Sequence, residues 1–421
     1  MTPTRPRAVG LALTVLAGIS SLAACGADST GSRTLRVEAG GSISDVVSTA
    51  RPGDVVVVAD GVYHETVRVA VPGITLRGES RNGVVLDGED RLANGVTIVA
   101  DGVAVENLTV RSYTQNGLLF NGIEAATGGR GIEPGVVYGT GDDVLSGYRA
   151  SYVTAFNNGL YGIYAFASRD GLIEHSYVSG HPDSGVYVGQ CNPCNTVVRD
   201  VTAELNAIGY YGTNASGEVY VIDSVFRHNR LGIAPNSQRA ERLAPQSATV
   251  VGGNLVIDND SLDAPPIPKG FIGVGIAVGG GTQNLIVRNR VVDNDAAGIA
   301  LLMLGEFAPL GNTVEGNVVE GNGVDLVYAP GAGVAAEGNC FADNRFGTST
   351  PDDIETVMRC GSDGTLTTTA WQQTASPPGP DYRDIPAPPA QPDMPVDEMT
   401  ATGGAGVVPD VDVAALTVPT G

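Results

Sequence analysis

The sequence predicts an all-β solenoid, on three observations. One short pattern returns at a nearly fixed interval: Gly162-Ile163-Tyr164, Gly185-Val186-Tyr187, Gly209-Tyr210-Tyr211 and Gly232-Ile233-Ala234, with the glycines 23, 24 and 23 residues apart. A second landmark keeps step with it: Ile173-Glu174-His175, Val198-Arg199-Asp200 and Val221-Ile222-Asp223, 25 and 23 apart. The composition agrees, with 58 glycines, 42% hydrophobic and only 5% aromatic residues in a chain of 421. A period of this size with strand-like alternation makes each repeat one coil, which buries its apolar side only against its neighbours.

Taken in order, residues 1–24 read as an export signal: Arg5 and Arg7, then an apolar run from Ala8 to Ala24 that is short for a spanning helix. Leu22-Ala23-Ala24-Cys25-Gly26 resembles a bacterial lipobox, which implies diacylation of Cys25 and an extracytoplasmic, lipid-anchored protein. An ordinary secretory signal or a single-pass anchor is the alternative. Residues 25–34 form a polar tether, and residues 35–346 the solenoid. Ile43, Val46, Val47 and Ala50 share one face of a short helix that Ser42 can cap, suited to covering the first coil. Arg51-Pro52-Gly53-Asp54 then turns the chain into the buried run Val55 to Val58. Coils continue through Gly117, Gly275 and Gly298, interrupted at residues 121–147, 238–247 and 261–273. The second column continues as Val251-Gly252-Gly253, Val287-Arg288-Asn289, Val314-Glu315-Gly316 and Ala336-Glu337-Gly338. Residues 347–375 are a C-terminal extension. Residues 376–421, rich in Pro, Asp and Gly, are expected to be a disordered acidic tail.

Coils stack at about 4.8 Å, so equal offsets from the glycine form ladders. Ile163, Val186, Tyr210, Ile233, Ile276 and Ile299 make a mostly aliphatic inward ladder. Tyr164, Tyr187 and Tyr211 make an outward one, which shrinks to Ala234, Ala277 and Ala300 further along. The inserts at 121–147 and 238–247 leave the turn that follows the tyrosines, whereas the intervening coils have short turns there. Long walls beside short turns make a notch, where Gln190 and Asn214 join the three tyrosines as candidate ligand-binding residues.

With Asp183-Ser184-Gly185-Val186-Tyr187-Val188-Gly189-Gln190, Cys191-Asn192-Pro193-Cys194 and the helical cap, residues 35–346 resemble the right-handed parallel β-helix proteins of the pectate-lyase-like superfamily. With the lipobox added, the chain is similar to actinobacterial β-helix lipoproteins. The resemblance implies the fold. It leaves function open, because this scaffold carries lyases, epimerases, hydrolases and non-catalytic surface proteins.

Beyond Cys25 the cysteines are Cys191, Cys194, Cys340 and Cys360. In an exported chain, the simplest pairing is Cys191–Cys194 and Cys340–Cys360, with a redox-active CxxC or half of a metal site as alternatives. Of the four histidines, His64 is uninformative near the cap. His175 shares a column with Asn107, Asp200, Asp223 and Asn289, read as an inward polar ladder. His181 and His228 share an offset two coils apart, about 10 Å, which is too far for one metal. No resident metal or other cofactor is expected, with calcium an option at the Asp258-Asn259-Asp260 and Asp293-Asn294-Asp295 turns. Calcium-dependent lyase chemistry would want stacked outward carboxylates, but Arg199 interrupts the column of Glu106 and Glu174. Gly141-Asp142-Asp143 is similar to a polygalacturonase Asp pair without its companion elements.

A lyase or C5-epimerase acting on uronic acids needs a base, a second acid/base and a cation for the substrate carboxylate. His181, Asp183, Tyr187 and Arg199 (or Arg169) are the candidates, with a structural turn histidine as the plainer reading of His181. The formal charge of −22 argues against nucleic acid and for a soluble monomer. Three functions follow: carbohydrate binding on the tyrosines, polysaccharide lyase or epimerase, and a structural or adhesive surface protein.

Overall fold

Alternating apolar residues in each repeat become short strands, and equal positions in successive repeats pair in parallel. The computed structural model describes residues 32–127, 139–140, 144–268, 270–331, 337–361, 371–399 and 404–420. The leader, Cys25 and Gly141-Asp142-Asp143 lie outside the described residues. The fold is a single right-handed parallel β-helix. One sheet of eleven strands, from Val67–Val69 to Ser349–Thr350, carries the landmark glycines. Two further stacks, beginning at Thr34–Val37 and Gly61–Tyr63, merge into a second sheet because Val103–Arg111 and Leu145–Phe156 are long enough to pair in both.

The inward ladder is paired rung to rung: Ile163 with Val186, Val186 with Tyr210, Tyr210 with Ile233, Ile233 with Ile276 and Ile276 with Ile299. All six side chains are fully buried. Each such burial stabilises by about 1.5–3 kcal/mol before entropy is counted. The capping helix Ile43–Ser48 starts where Ser42 accepts a hydrogen bond from the Asp45 N–H, and it buries Ile43 and Val47 over the first coil. Both expected disulfides, Cys191–Cys194 and Cys340–Cys360, are formed.

The polar column around His175 is not inward. Asn107, His175, Asp200 and Asp223 are all left-handed corner residues with φ between 46° and 53°. Asn107 is buried, but His175 is partly exposed, stacked on Tyr152 at 4.7 Å. The next corner residues are Gly253 (φ 68°) and Arg288 (φ 53°), so the triplet matching Val251-Gly252-Gly253 is Ile286-Val287-Arg288, one residue earlier than expected. The column then runs from Val314 to Phe341, and Ala336 lies outside the described residues. An arginine in a conformation that favours Gly, Asn and Asp hides the frame.

The true inward polar ladders are made of asparagine. Asn206, Asn229, Asn259, Asn294 and Asn322 stack at one corner, each after the first accepting on Oδ1 from the backbone N–H and the side-chain amide of the rung before. Asn254, Asn289, Asn317 and Asn344 do the same at a second corner, ending on Glu355. Asn284, Asn312 and Asn339 form a third. Sharp corners leave backbone donors that the strands cannot pair, and the amide ladders supply their acceptors.

The described residues of the tail, expected to be disordered, are docked on the coils. Residues 376–399 and 404–420 lie along the coils, with Ile385, Met394, Ala405 and Leu416 buried. The Arg81 N–H donates to Asp393, its guanidinium to the Pro392 carbonyl, and the Met394 N–H to Asn107 Oδ1. Arg288 and Arg290 hold the Val413 and Pro419 carbonyls at 2.8 and 2.7 Å. Composition denies this segment a core of its own, but it borrows the solenoid's surface.

Candidate functional site

Outward positions of the eleven-stranded sheet build the site. Tyr164, Tyr187 and Tyr211 sit in register on adjacent strands, and Tyr161 joins them from the start of the first. Ring centroids are 4.4 Å apart for Tyr161–Tyr164, 4.8 Å for Tyr164–Tyr187 and 6.1 Å for Tyr187–Tyr211. The tyrosines are therefore one packed cluster rather than a bare platform. Tyr187 is only 2% exposed, and its hydroxyl donates to Glu241 at 3.1 Å. Tyr161, Tyr164 and Tyr211 keep a partly exposed edge.

Gln190 and Asn214 do not reach for a ligand; they staple the 238–247 wall. Gln190 donates to Glu241 and to the Arg242 carbonyl, and Asn214 donates to the Gln238 and Arg242 carbonyls. That wall carries Glu241 over the tyrosines. Two carboxyls thus meet the cluster, Glu241 and Asp183. Burial pushes the Asp183 carboxyl up to about 6, and the charge of Glu241 adds to the effect. Burial also raises Glu241, against hydrogen bonds from Gln190 and Tyr187. Asp183 Oδ1 has no hydrogen-bond partner among the described residues. Both carboxyls are thus held toward their protonated forms beside the tyrosines.

Because the folded-state pKa of Asp183 lies above its usual 3.8, its contribution to stability is present below about pH 4 and lost as pH rises through 6. Asp183→Asn is expected to be more stable than wild type at pH 7 by about 2 kcal/mol, allowing for partial solvent access. Urea denaturation at pH 4 and 7 checks this; parallel pH profiles for the two proteins would refute it.

The proposed base is not in the site. His181 is fully buried in the first asparagine ladder, with Nδ1 2.7 Å from Asn206 Oδ1 and Nε2 3.2 Å from Asn158 Nδ2. Both ring nitrogens are engaged. Burial holds its pKa down to about 4. His181 takes the inward corner position of Asn206 and Asn229, whereas His228, at the same offset from its glycine as His181, is partly exposed and pairs with Glu204. Arg199 belongs to the other sheet, in an ion ladder of Arg77, Glu106, Arg149, Glu174 and Arg199 whose links are 2.6–3.5 Å long. Arg169 lies 3.5 Å from Asp170. His181, Tyr187 and Arg199 therefore do not converge. Asn259 and Asn294, central to the two calcium candidates, spend their side-chain oxygens in the ladder. Among the described residues no group of three or more His, Cys, Asp or Glu side chains is placed to hold a metal ion, and no helix is long and apolar enough to cross a membrane.

Beyond Tyr211 the outward column becomes Ala234, Ala277 and Ala300, and space opens above it. A cavity of about 300 Å³ lies there, roofed by Ile267, Phe271 and Met303 and floored by Ile208, Leu231 and Ala277. A second cleft of about 330 Å³ adjoins it, edged by Gln238, Arg239, Glu306 and Phe307. Tyr211 lines both. The wall at 261–270 is fixed by Arg230, which is wholly buried and donates to the carbonyls of Ala264, Leu262, Pro377 and Pro378 and to Ser376 Oγ. The alanine column was the sequence signal for this cavity. Glu241 gave no comparable signal, because only the path of its loop brings it to Tyr187.

The family profile described as the right-handed β-helix region matches residues 134–350. No curated protein matches the sequence. Among solved structures, the A-module of the mannuronan C-5 epimerase AlgE4 of Azotobacter vinelandii is similar at 14% identity, covering 71% of this chain and 88% of its own, with a TM-score of 0.42. Pectate lyase Pel9A is similar at 13% identity over 86% of this chain and 95% of its own, TM-score 0.45. The Dettilon tailspike protein is similar at 13% over 76% and 60%, TM-score 0.49.

Proposed function

The chain belongs to the right-handed β-helix family, and we propose that it is a carbohydrate-binding member whose site is the groove at Tyr211. The observation that carries this reading is the setting of Tyr211, a partly exposed ring between two clefts, with Gln238, Arg239 and Glu306 at its edge. An aromatic face takes the C–H side of a sugar ring, and the polar rim takes its hydroxyls. Tyr187 and Tyr164 support the ring instead of binding directly. The two carboxyls beside the cluster and the formal charge of −22 favour a neutral saccharide over a polyuronate. The lyase reading loses its support with His181 and Arg199 elsewhere.

The full-length protein is expected to bind neutral glycans on an array, and Tyr211→Ala to bind them roughly ten-fold more weakly. No binding by wild type, or unchanged binding by the variant, would sink the reading. The same proposal has the protein held at the outer face of the cell membrane by a lipid on Cys25, which rests on Leu22-Ala23-Ala24-Cys25. Cys25→Ser is expected to abolish incorporation of labelled fatty acid and to leave the membrane fraction; retained label would refute the anchor.

A further inference from the structure

The cavity beyond Tyr211 has features that sugar binding alone does not use. Its floor comes from four successive coils, through Ile208, Leu231, Ala277 and Leu302, which at the stacking distance makes it about 14 Å long. The lower coils of the same outward column carry larger side chains, the exposed Arg68, then Thr97 and Leu119 below the tyrosines. Under the 261–273 wall the column turns small and apolar, and no charged side chain lines the cavity among the described residues. Apolar voids destabilise in proportion to their volume, so a wall free to settle would close this one. It is held instead by the buried Arg230, whose guanidinium ties Leu262, Ala264 and Ser376–Pro378 in place. Water is a poor occupant, because Asn236 and Gln373 are the main polar side chains of the lining away from the Tyr211 end. The cavity is therefore narrow, elongated and aliphatic, and it opens at the ring where the polar rim begins.

We propose that this cavity receives the alkyl chain of an acylated saccharide whose sugar lies on Tyr211, an inference that rests on the carbohydrate reading above. The ligand is an amphiphile: the sugar meets Tyr211, Gln238 and Glu306, and the chain runs under Ile267 and Phe271 past Ala234 and Ala277. A chain fits where a second sugar would not, because sugar hydroxyls would be buried without partners. The alanines are the length gauge, since any larger side chain in that column would stop the chain.

The test is calorimetric titration of the full-length protein with methyl, hexyl, octyl and decyl maltosides, each below its micellar concentration. Affinity is expected to rise at least ten-fold from methyl to octyl. Ala277→Phe, which fills the channel, is expected to erase that gain. Ile267→Asp, on the loop and away from the solenoid's interior, is expected to erase it too, which keeps the test open if Ala277→Phe does not fold. A decyl chain on a non-sugar head, decyl dimethylamine oxide, separates the two ideas. If it binds as well as decyl maltoside and methyl maltoside does not bind, the cavity holds alkyl chains, but the sugar reading falls and the saccharide head of the proposed ligand with it. If all maltosides bind equally, or none binds, or the gain survives both substitutions, the cavity proposal is overturned.

Discussion

Asn289→Ala is expected to cost about 3–5 kcal/mol of stability, more than a typical core truncation of similar size. Asn289 Oδ1 accepts from the Asn254 N–H at 3.1 Å and from its amide at 2.9 Å, and Asn289 Nδ2 donates to the Val251 carbonyl and to Asn317 Oδ1. Removing the side chain strands groups on both neighbouring coils, where water has no access. Guanidinium denaturation measures this, and a loss below 1 kcal/mol would show that the rungs are dispensable. His181→Asn is the complementary experiment. It restores the residue type of its neighbours Asn158 and Asn206, so it is expected to be tolerated at pH 8. Its effect appears in acid. His181 has a folded-state pKa near 4 against an ordinary 6.5, so the neutral ring's contribution is present above pH 6.5 and lost as pH falls toward 4. The asparagine variant does not bind that proton, and near pH 4 it is expected to exceed wild type by up to about 3 kcal/mol. A catalytic histidine would give the reverse pattern, with activity lost and stability unmoved.

The parts of the molecule legible in the sequence are those governed by the period. The glycines at 162, 185, 209 and 232 gave the register, the mostly aliphatic residues beside them gave the core, and the cysteine pairs gave two fasteners. What escaped is what depends on corners and excursions. Alternation tells in from out along a strand, but at a corner the chain turns, so the repeat alone does not show that His181 is buried while His175, expected to face in, is partly exposed. The asparagine ladders were visible as Asn284, Asn289 and Asn294, then Asn312, Asn317 and Asn322, each five residues apart. That spacing matches neither a strand nor a helix period. It is the distance between corners of a coil. The site shows the same division: the tyrosine column follows from the repeat, whereas Glu241 and the roof at Ile267 come from inserts whose paths no periodicity encodes.

Cutting the chain after Ala375 is expected to destabilise the β-helix by about 5 kcal/mol, although the segment removed has the composition of a disordered tail. The gain from docking comes from burying Ile385, Met394 and Leu416, at about 1.5–3 kcal/mol each, and from backbone acceptors offered to arginines. Against it stands the entropy of ordering a long segment. Pro377, Pro378, Pro380, Pro386, Pro388, Pro389, Pro392 and Pro395 reduce that cost, because each already restricts the undocked chain. The composition that argues against a core therefore argues for a strap. Its loss would reach the solenoid at separate places. Arg230 would lose Ser376, Pro377 and Pro378, loosening the cavity wall, and Arg81 would lose Pro392 and Asp393. Glu106 and Glu174, each 2% exposed, belong to an ion ladder whose first arginine, Arg77, donates to the Met399 carbonyl; uncovered, those pairs would weaken toward the small values of surface salt bridges. Hydrogen exchange on the intact protein tests the premise directly. The Met394, Gly404 and Ala405 amides, bonded to Asn107, Thr75 and Gly102, are expected to be protected. Exchange of those three at the rate of an unstructured peptide would overturn the strap and the predicted loss together.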